Sequence, residues 1–161
     1  MSRRQVPVDW LDLEIAFETH AEDSASVLDL RTGKVHFVPF DEEVLADAEE
    51  AMSEEAADRG LAEGWLVRVD PLESHDEYDW MAQFAASVDD HRLRELLDVA
   101  LDGRGAFRRF KDVLARWPKE RERWFKFRDQ CLWDAMQEWL AENEIEPTTT
   151  APPRHAADDN G

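Results

Sequence analysis

The residues with the clearest capacity for chemistry lie in one short segment, residues 103–128. This basic segment holds ten of the 19 lysines and arginines but three of the 38 acidic residues, so it carries +7 in a chain of net charge −19. Three of its bases, Arg104, Arg108 and Lys111, are spaced to form one outward row on a helix. Rows of guanidinium and ammonium groups bind phosphates and carboxylates, and free amides at a helix start also attract anions. The sequence therefore predicts an anion site comprising Arg104, Gly105, Arg108, Arg109 and Lys111.

Aromatic residues are interleaved with these bases. Phe107, Phe110, Leu114 and Trp117 follow spacings of three, four and three, which predicts a helix with an apolar core face. Pro118 is then suited to the first position of another helix, which we expect to run to about Asn143. Aromatic rings beside bases would also stack with nucleotide rings, so a phosphate-bearing ligand or nucleic acid is one possible occupant.

Internal charge balance is the competing interpretation of the basic segment, and the one that the charge distribution favours. Residues 1–102 carry −19 and residues 129–161 carry −7, and residues 41–58 hold nine acids without a base. A basic block that faces an acidic block can orient two elements, although each exposed ion pair contributes only ~0–1 kcal/mol.

Other motifs for catalysis or metal binding are weak. No two histidines stand four residues apart, and neither Cys-x-x-Cys nor His-Glu-x-x-His occurs, so we predict no metal and no cofactor. The acids between Asp70 and Asp79 fit a solvated helix start better than a cation loop. Cys131 lies on an apolar face and is expected to be an inert buried thiol. We predict no catalytic residue.

The remaining pattern predicts an α+β fold, with a three-stranded antiparallel sheet packed against a bundle of about six helices. A helix capped by Asp9 is expected from Trp10 to Glu18, followed by a hairpin with Gly33 in its turn. One long acidic helix is expected over residues 41–59, a third strand over 65–69, and a helix opened by a Ser74–Glu77 capping box. The domain is expected to span residues 1–146, and residues 147–161 are expected to form a disordered Pro/Thr-rich tail.

Four motifs resemble a small bacterial family known only as an uncharacterised protein family. They are the Trp-x-x-Leu-x-x-Ala-Phe helix of residues 10–17, the hairpin of residues 28–35 with its Thr-Gly turn, Gly-Arg-Gly-Ala-Phe-Arg-Arg-Phe-Lys-Asp from residue 103, and Trp-Phe-x-Phe-Arg-Asp of residues 124–129. The resemblance implies one α+β domain, and it brings no activity and no site residues.

These observations favour a cytoplasmic, non-catalytic binding or regulatory protein, with the basic segment as its candidate interaction site. The chain has one cysteine, no apolar run of about 20 residues and no leader-like start, so we expect a reducing compartment and no membrane span. A protein partner is preferred to a nucleic acid. Two alternatives stay open: an enzyme that holds a phosphorylated substrate with Arg104, Arg108 and Lys111, and an acidic DNA mimic that binds a basic protein. The sequence does not specify an oligomeric state.

Overall fold

The structure is a computed structural model that describes residues 3–152. Within that range the fold is α+β, as predicted, with a three-stranded antiparallel sheet and seven helices. The elements are β1 (Arg4–Val6), α1 (Trp10–Glu18), β2 (Ser24–Asp29), β3 (Val35–Pro39), α2 (Glu42–Asp47), α3 (Glu54–Glu63), β4 (Leu66–Arg68), α4 (Ser74–Ala86), α5 (His91–Ala100), α6 (Ala106–Leu114), α7 (Pro118–Glu142) and β5 (Ile145–Pro147).

The chain forms two compact units. The first unit comprises residues 3–72 and 135–152, and the second comprises residues 73–134. Helix α7 contributes residues to both units, because the boundary at residue 134 lies within it. The prediction of a single domain over residues 1–146 stays a prediction.

The sheet of the first unit has the strand order β3-β2-β4, and both pairings are antiparallel. Val27 in the central strand lies opposite His36 on one side and Arg68 on the other. Its side chain packs with Val38, Ala57 and Leu66 in a small core. Helix α1 begins and ends as predicted, and the Asp9 side chain accepts a hydrogen bond from the Asp12 amide. Its four predicted core residues are buried: Trp10, Leu13, Ala16 and Phe17.

A second, two-stranded sheet in the same unit was not predicted. β1 pairs in parallel with β5, with Val6 opposite Pro147. The pairing continues past the strand, because the Thr148 amide donates to the Val6 carbonyl at 2.9 Å. Thr148 and Thr149, which the sequence analysis placed in a disordered tail, therefore make defined hydrogen bonds. The rest of the predicted tail, residues 153–161, lies outside the described residues.

The acidic segment does not form the single helix predicted over residues 41–59, so that prediction was wrong. Asp41 caps the short helix α2 as expected, but α3 begins after a new cap at Ser53 and continues through Gly60 to a left-handed Gly64. Between the two helices, the Met52 amide donates to the Phe37 carbonyl and its side chain packs against the small core. This tertiary contact, together with repulsion among neighbouring acids, outweighs the weak helical pattern.

The second unit is helical, with an aromatic centre. Phe84 of α4, Phe110 of α6 and Trp124 of α7 meet edge to face, with ring centroids 5.0–6.3 Å apart. Each ring is at most 4% exposed, so the predicted apolar face of α6 is core. Helix α4 is capped one residue earlier than predicted. The Asp76 side chain, not that of Glu77, accepts from the backbone amide of the capping residue Glu73.

Candidate interaction site on the basic segment

Helix α6 separates its apolar and basic residues sharply. Ala106, Phe110 and Leu114 are buried, while Arg108 and Lys111 are exposed. The separation follows from the sequence, because residues three and four apart share a helix face. Arg108 and Lys111 therefore form an exposed strip on α6. Arg104, which the spacing placed in the same helical row, is exposed but lies before the helix, between Gly103 and Gly105.

The loop before α6 uses two of the five predicted site residues, Gly105 and Arg109, for its own structure. Gly103 and Gly105 both have positive φ angles, 85° and 75°, and Gly105 is the N-cap residue. The Arg109 guanidinium turns back and donates to the Asp102 carbonyl, which closes this loop. We therefore assign Arg109 to the loop, while Arg104, Arg108 and Lys111 point to solvent around it.

The three exposed bases have no acidic partner in the part of the chain that the structure describes. Arg104, Arg108 and Lys111 form no ion pair within 4 Å across residues 3–152. Cations without such a partner keep their full capacity to bind an anion, since no carboxylate of residues 3–152 must first be displaced. Whether the segment also balances residues 41–58 at longer range stays a hypothesis.

Two other bases of the segment stabilise the second unit itself. Arg128 donates to the Glu77 carboxylate at 2.7 Å, which links α7 to α4. Arg123 pairs with Glu120 at 2.7 Å and lies 4.2 Å from the centroid of the Phe84 ring. Cation–π and carboxylate contacts of this kind hold neighbouring helices in place. Part of the positive charge of the segment is thus structural.

A pocket of about 470 Å³ lies beside the exposed strip, between α6 and α7. Its lining consists of Lys111, Leu114, Ala115, Arg121, Trp124 and Phe125. Leu114 and Trp124 are buried, so they give the pocket an apolar floor, while Lys111 and Arg121 supply two cations. The Arg121 guanidinium lies 4.9 Å from the centroid of the Phe125 ring.

The pocket joins residues that the sequence analysis kept apart. Lys111 was included in the predicted anion site. Arg121 was counted only in the total charge of the basic segment, and Trp124 and Phe125 were used only as part of the motif of residues 124–129. The available signal was a pair of four-residue spacings, from Lys111 to Ala115 and from Arg121 to Phe125, each of which places a cation beside an apolar residue. These spacings do not predict that the two helices approach each other.

A buried carboxylate in the first unit was also missed. Asp29 is 2% exposed and accepts hydrogen bonds from the Arg31 amide at 2.8 Å and from His36 Nε2 at 3.0 Å. Burial alone would raise the pKa of Asp29, but the hydrogen bonds from Arg31 and His36 and the Arg31 charge together lower this pKa to about 2. The Arg31 guanidinium also stacks 3.5 Å from the centroid of the Trp65 ring. Because Asp29 stays ionised near neutral pH, it orders the hairpin and cannot act as a general acid.

The Cys131 thiol was predicted to be inert. Burial, assisted by the nearby Asp134 charge, raises the pKa of the Cys131 thiol, which makes it a poor nucleophile at neutral pH.

Across residues 3–152 there is no cluster of three or more His, Cys, Asp or Glu side chains that could hold a metal ion. No helix within that range is long and apolar enough to cross a membrane.

Comparison with known proteins identifies the family. The sequence profile of the uncharacterised protein family UPF0158 matches residues 5–154. The chain belongs to this family. The UPF0158 protein PA5073 of Pseudomonas aeruginosa is 27% identical over 151 residues, which cover 93% of this chain and 92% of the relative. No solved structure matches. The predicted resemblance to a small uncharacterised bacterial family is therefore confirmed.

Proposed function

We propose that this UPF0158 protein is a non-catalytic, cytoplasmic binding protein whose basic segment, residues 103–128, receives an acidic protein partner. One observation carries the proposal. Arg104, Arg108 and Lys111 are exposed on and beside α6, and none has a carboxylate within 4 Å among residues 3–152. Carboxylates of a partner would complete their ion pairs, and charge complementarity would orient the partner during association.

The alternative of an enzyme has less support. Acid–base catalysis needs a titratable group within reach of the bound substrate. The six residues that line the pocket beside the cations include no carboxylate, histidine, hydroxyl or thiol. The site can therefore hold an anion, but its lining offers no group that would move a proton at neutral pH.

The DNA-mimic alternative depends on regular rows of carboxylates. All nine acids from Asp41 to Asp58 are exposed, but they are divided among the cap Asp41, the short helices α2 and α3, and the loop between these helices, which holds Glu49 and Glu50. A duplex presents one negative charge per about 1.7 Å of its axis, so a mimic needs a continuous, regular array. The interrupted segment favours the basic site as the point of interaction.

The test compares two triple variants with the same loss of charge. The first replaces Arg104, Arg108 and Lys111 by glutamine, and the control replaces the exposed Arg4, Arg59 and Arg92. Binding to immobilised poly-L-glutamate is measured at about 0.15 M salt. At this concentration the Debye length is about 8 Å, so the salt screens the charges of the distant acids of the chain.

We expect the wild type and the control to bind and the first variant to bind about tenfold more weakly, because three contact ion pairs are lost. Equal weakening in both variants would show that only total charge matters and would contradict the proposal. So would a wild type that does not bind polyglutamate, or that binds duplex DNA more tightly.

A further inference from the structure

The pocket between α6 and α7 has the two features of an anchoring site: an apolar floor and a charged edge. Its volume of about 470 Å³ exceeds that of a single buried side chain and falls in the range of about 300–1,000 Å³ that is typical of ligand pockets. Leu114 and Trp124 are 1% and 4% exposed, so their contribution to the floor is fixed by core packing. A rigid apolar pocket gains affinity from a side chain that fills it.

The two cations of this pocket come from two different helices. Lys111 belongs to α6, together with Leu114 and the adjoining Ala115, whereas Arg121 belongs to α7, together with Trp124 and Phe125. The ring of Phe125 lies against the Arg121 guanidinium and helps to hold it in place. A matching ligand carries negative charge on both sides of an apolar body.

We propose that this pocket takes one bulky apolar side chain from an acidic segment of the partner protein, and that Lys111 and Arg121 pair with carboxylates on either side of that side chain. This inference rests on the proposed function, because the pocket anchors the same acidic partner that the basic segment binds. A peptide supplies acids both before and after an apolar residue. A nucleotide carries its negative charge at one end of its ring system and matches only one of the two cations.

The experiment uses two short, fluorescently labelled peptides that differ at one position. One has a phenylalanine between aspartate and glutamate residues, and the other has an alanine there. Fluorescence anisotropy with the full chain gives both affinities. We expect the phenylalanine peptide to bind about tenfold more tightly or better, because its ring is removed from water in the pocket.

Variants of the pocket separate shape from charge. Ala115 is exposed and lines the pocket, so Ala115→Phe, or the smaller Ala115→Leu, fills the pocket without changing the charge or the core. We expect either variant to abolish the preference for phenylalanine while the alanine peptide binds as before. Replacing both Lys111 and Arg121 by glutamine should weaken binding of both peptides about tenfold. Replacing the exposed Arg59 and Arg92 by glutamine is the matched control, since both lie outside the basic segment and neither lines the pocket.

The outcomes distinguish this inference from the function on which it rests. Equal binding of the two peptides, or a preference that survives both Ala115 variants, overturns the pocket assignment and leaves acidic recognition by the basic segment standing. Failure of both peptides to bind overturns both proposals. Tighter binding of adenosine monophosphate, with displacement of the phenylalanine peptide, would make a nucleotide the occupant and would also overturn the inference.

Discussion

The carbonyl oxygen of Pro7 occupies the space that a side chain at Gly33 would need. A β-carbon built on Gly33 would lie 1.8 Å from that oxygen, and the backbone there has a φ of +80°. The approach is held by two hydrogen bonds of 2.8 Å, from the Asp9 amide to the Gly33 carbonyl and from the Gly33 amide to the Asp29 carbonyl. The glycine of the Thr-Gly turn therefore fixes the hairpin against the chain that enters α1.

Gly33→Ala should lower the free energy of unfolding by about 2–5 kcal/mol, because it combines a left-handed backbone with a collision against main-chain atoms. Gly64→Ala is the matched control. Gly64 has a similar φ of +86°, but no atom lies within 4 Å of its built β-carbon, so only the backbone strain of about 1 kcal/mol should appear. Urea unfolding of both variants measures the difference. Equal losses would show that the approach to Pro7 has no energetic role.

Asp29 should make stability dependent on acid pH. Its folded pKa of about 2 lies below the ordinary 3.8, so its contribution is fully present above about pH 5 and is lost as the pH falls towards 2. The shift corresponds to about 2 kcal/mol. Urea unfolding of the wild type and of Asp29→Asn should therefore differ by a constant amount above about pH 5, and the gap should narrow below about pH 4. A gap that does not change with pH would show that the Asp29 charge contributes nothing.

The residues after Glu146 should contribute to stability as far as Thr149. The Thr149 hydroxyl donates to the Val8 carbonyl, the Trp10 indole donates to the Thr149 carbonyl at 3.3 Å, and the Thr148 amide pairs with Val6. A chain that ends at Glu146 should lose about 1–3 kcal/mol, whereas one that ends at Pro152 retains these bonds and serves as the control. Thermal melts would reveal the loss. Identical melting of the two shortened chains would favour the dispensable tail that the sequence predicts from Pro147 onwards.

Replacing Arg104, Arg108 and Lys111 by glutamine should leave folding almost unchanged. Because none of the three has an ion-pair partner across residues 3–152, we expect the variant to melt within about 2 °C of the wild type at low, intermediate and high salt. Thermal melts at three salt concentrations test this. Internal charge balance makes the opposite prediction: a loss of stability at low salt that is partly recovered at about 1 M salt, where the Debye length is about 3 Å.

Local patterns determined the elements whose signals lie within a few residues of one another. The Asp9 cap and the apolar spacing from Trp10 to Phe17 predicted α1 with its buried face, and Gly33 marked the hairpin turn. The spacing of Phe110 and Leu114 placed the bases of α6 on the outside. These features follow from helix and turn geometry, which the sequence expresses directly.

Only the tertiary structure decided the features that depend on residues far apart in the chain. The contact of Met52 with the small core interrupts the acidic helix. Strand β1 pairs with β5, which lies some 140 residues later in the chain. Each strand has only three residues, which is too short for a periodic pattern to predict the pairing. The pocket beside Lys111 exists because Arg121, Trp124 and Phe125 of α7 line it together with residues of α6. Sequence spacing gives the face on which a residue lies, whereas the packing of one element on another decides what that face meets.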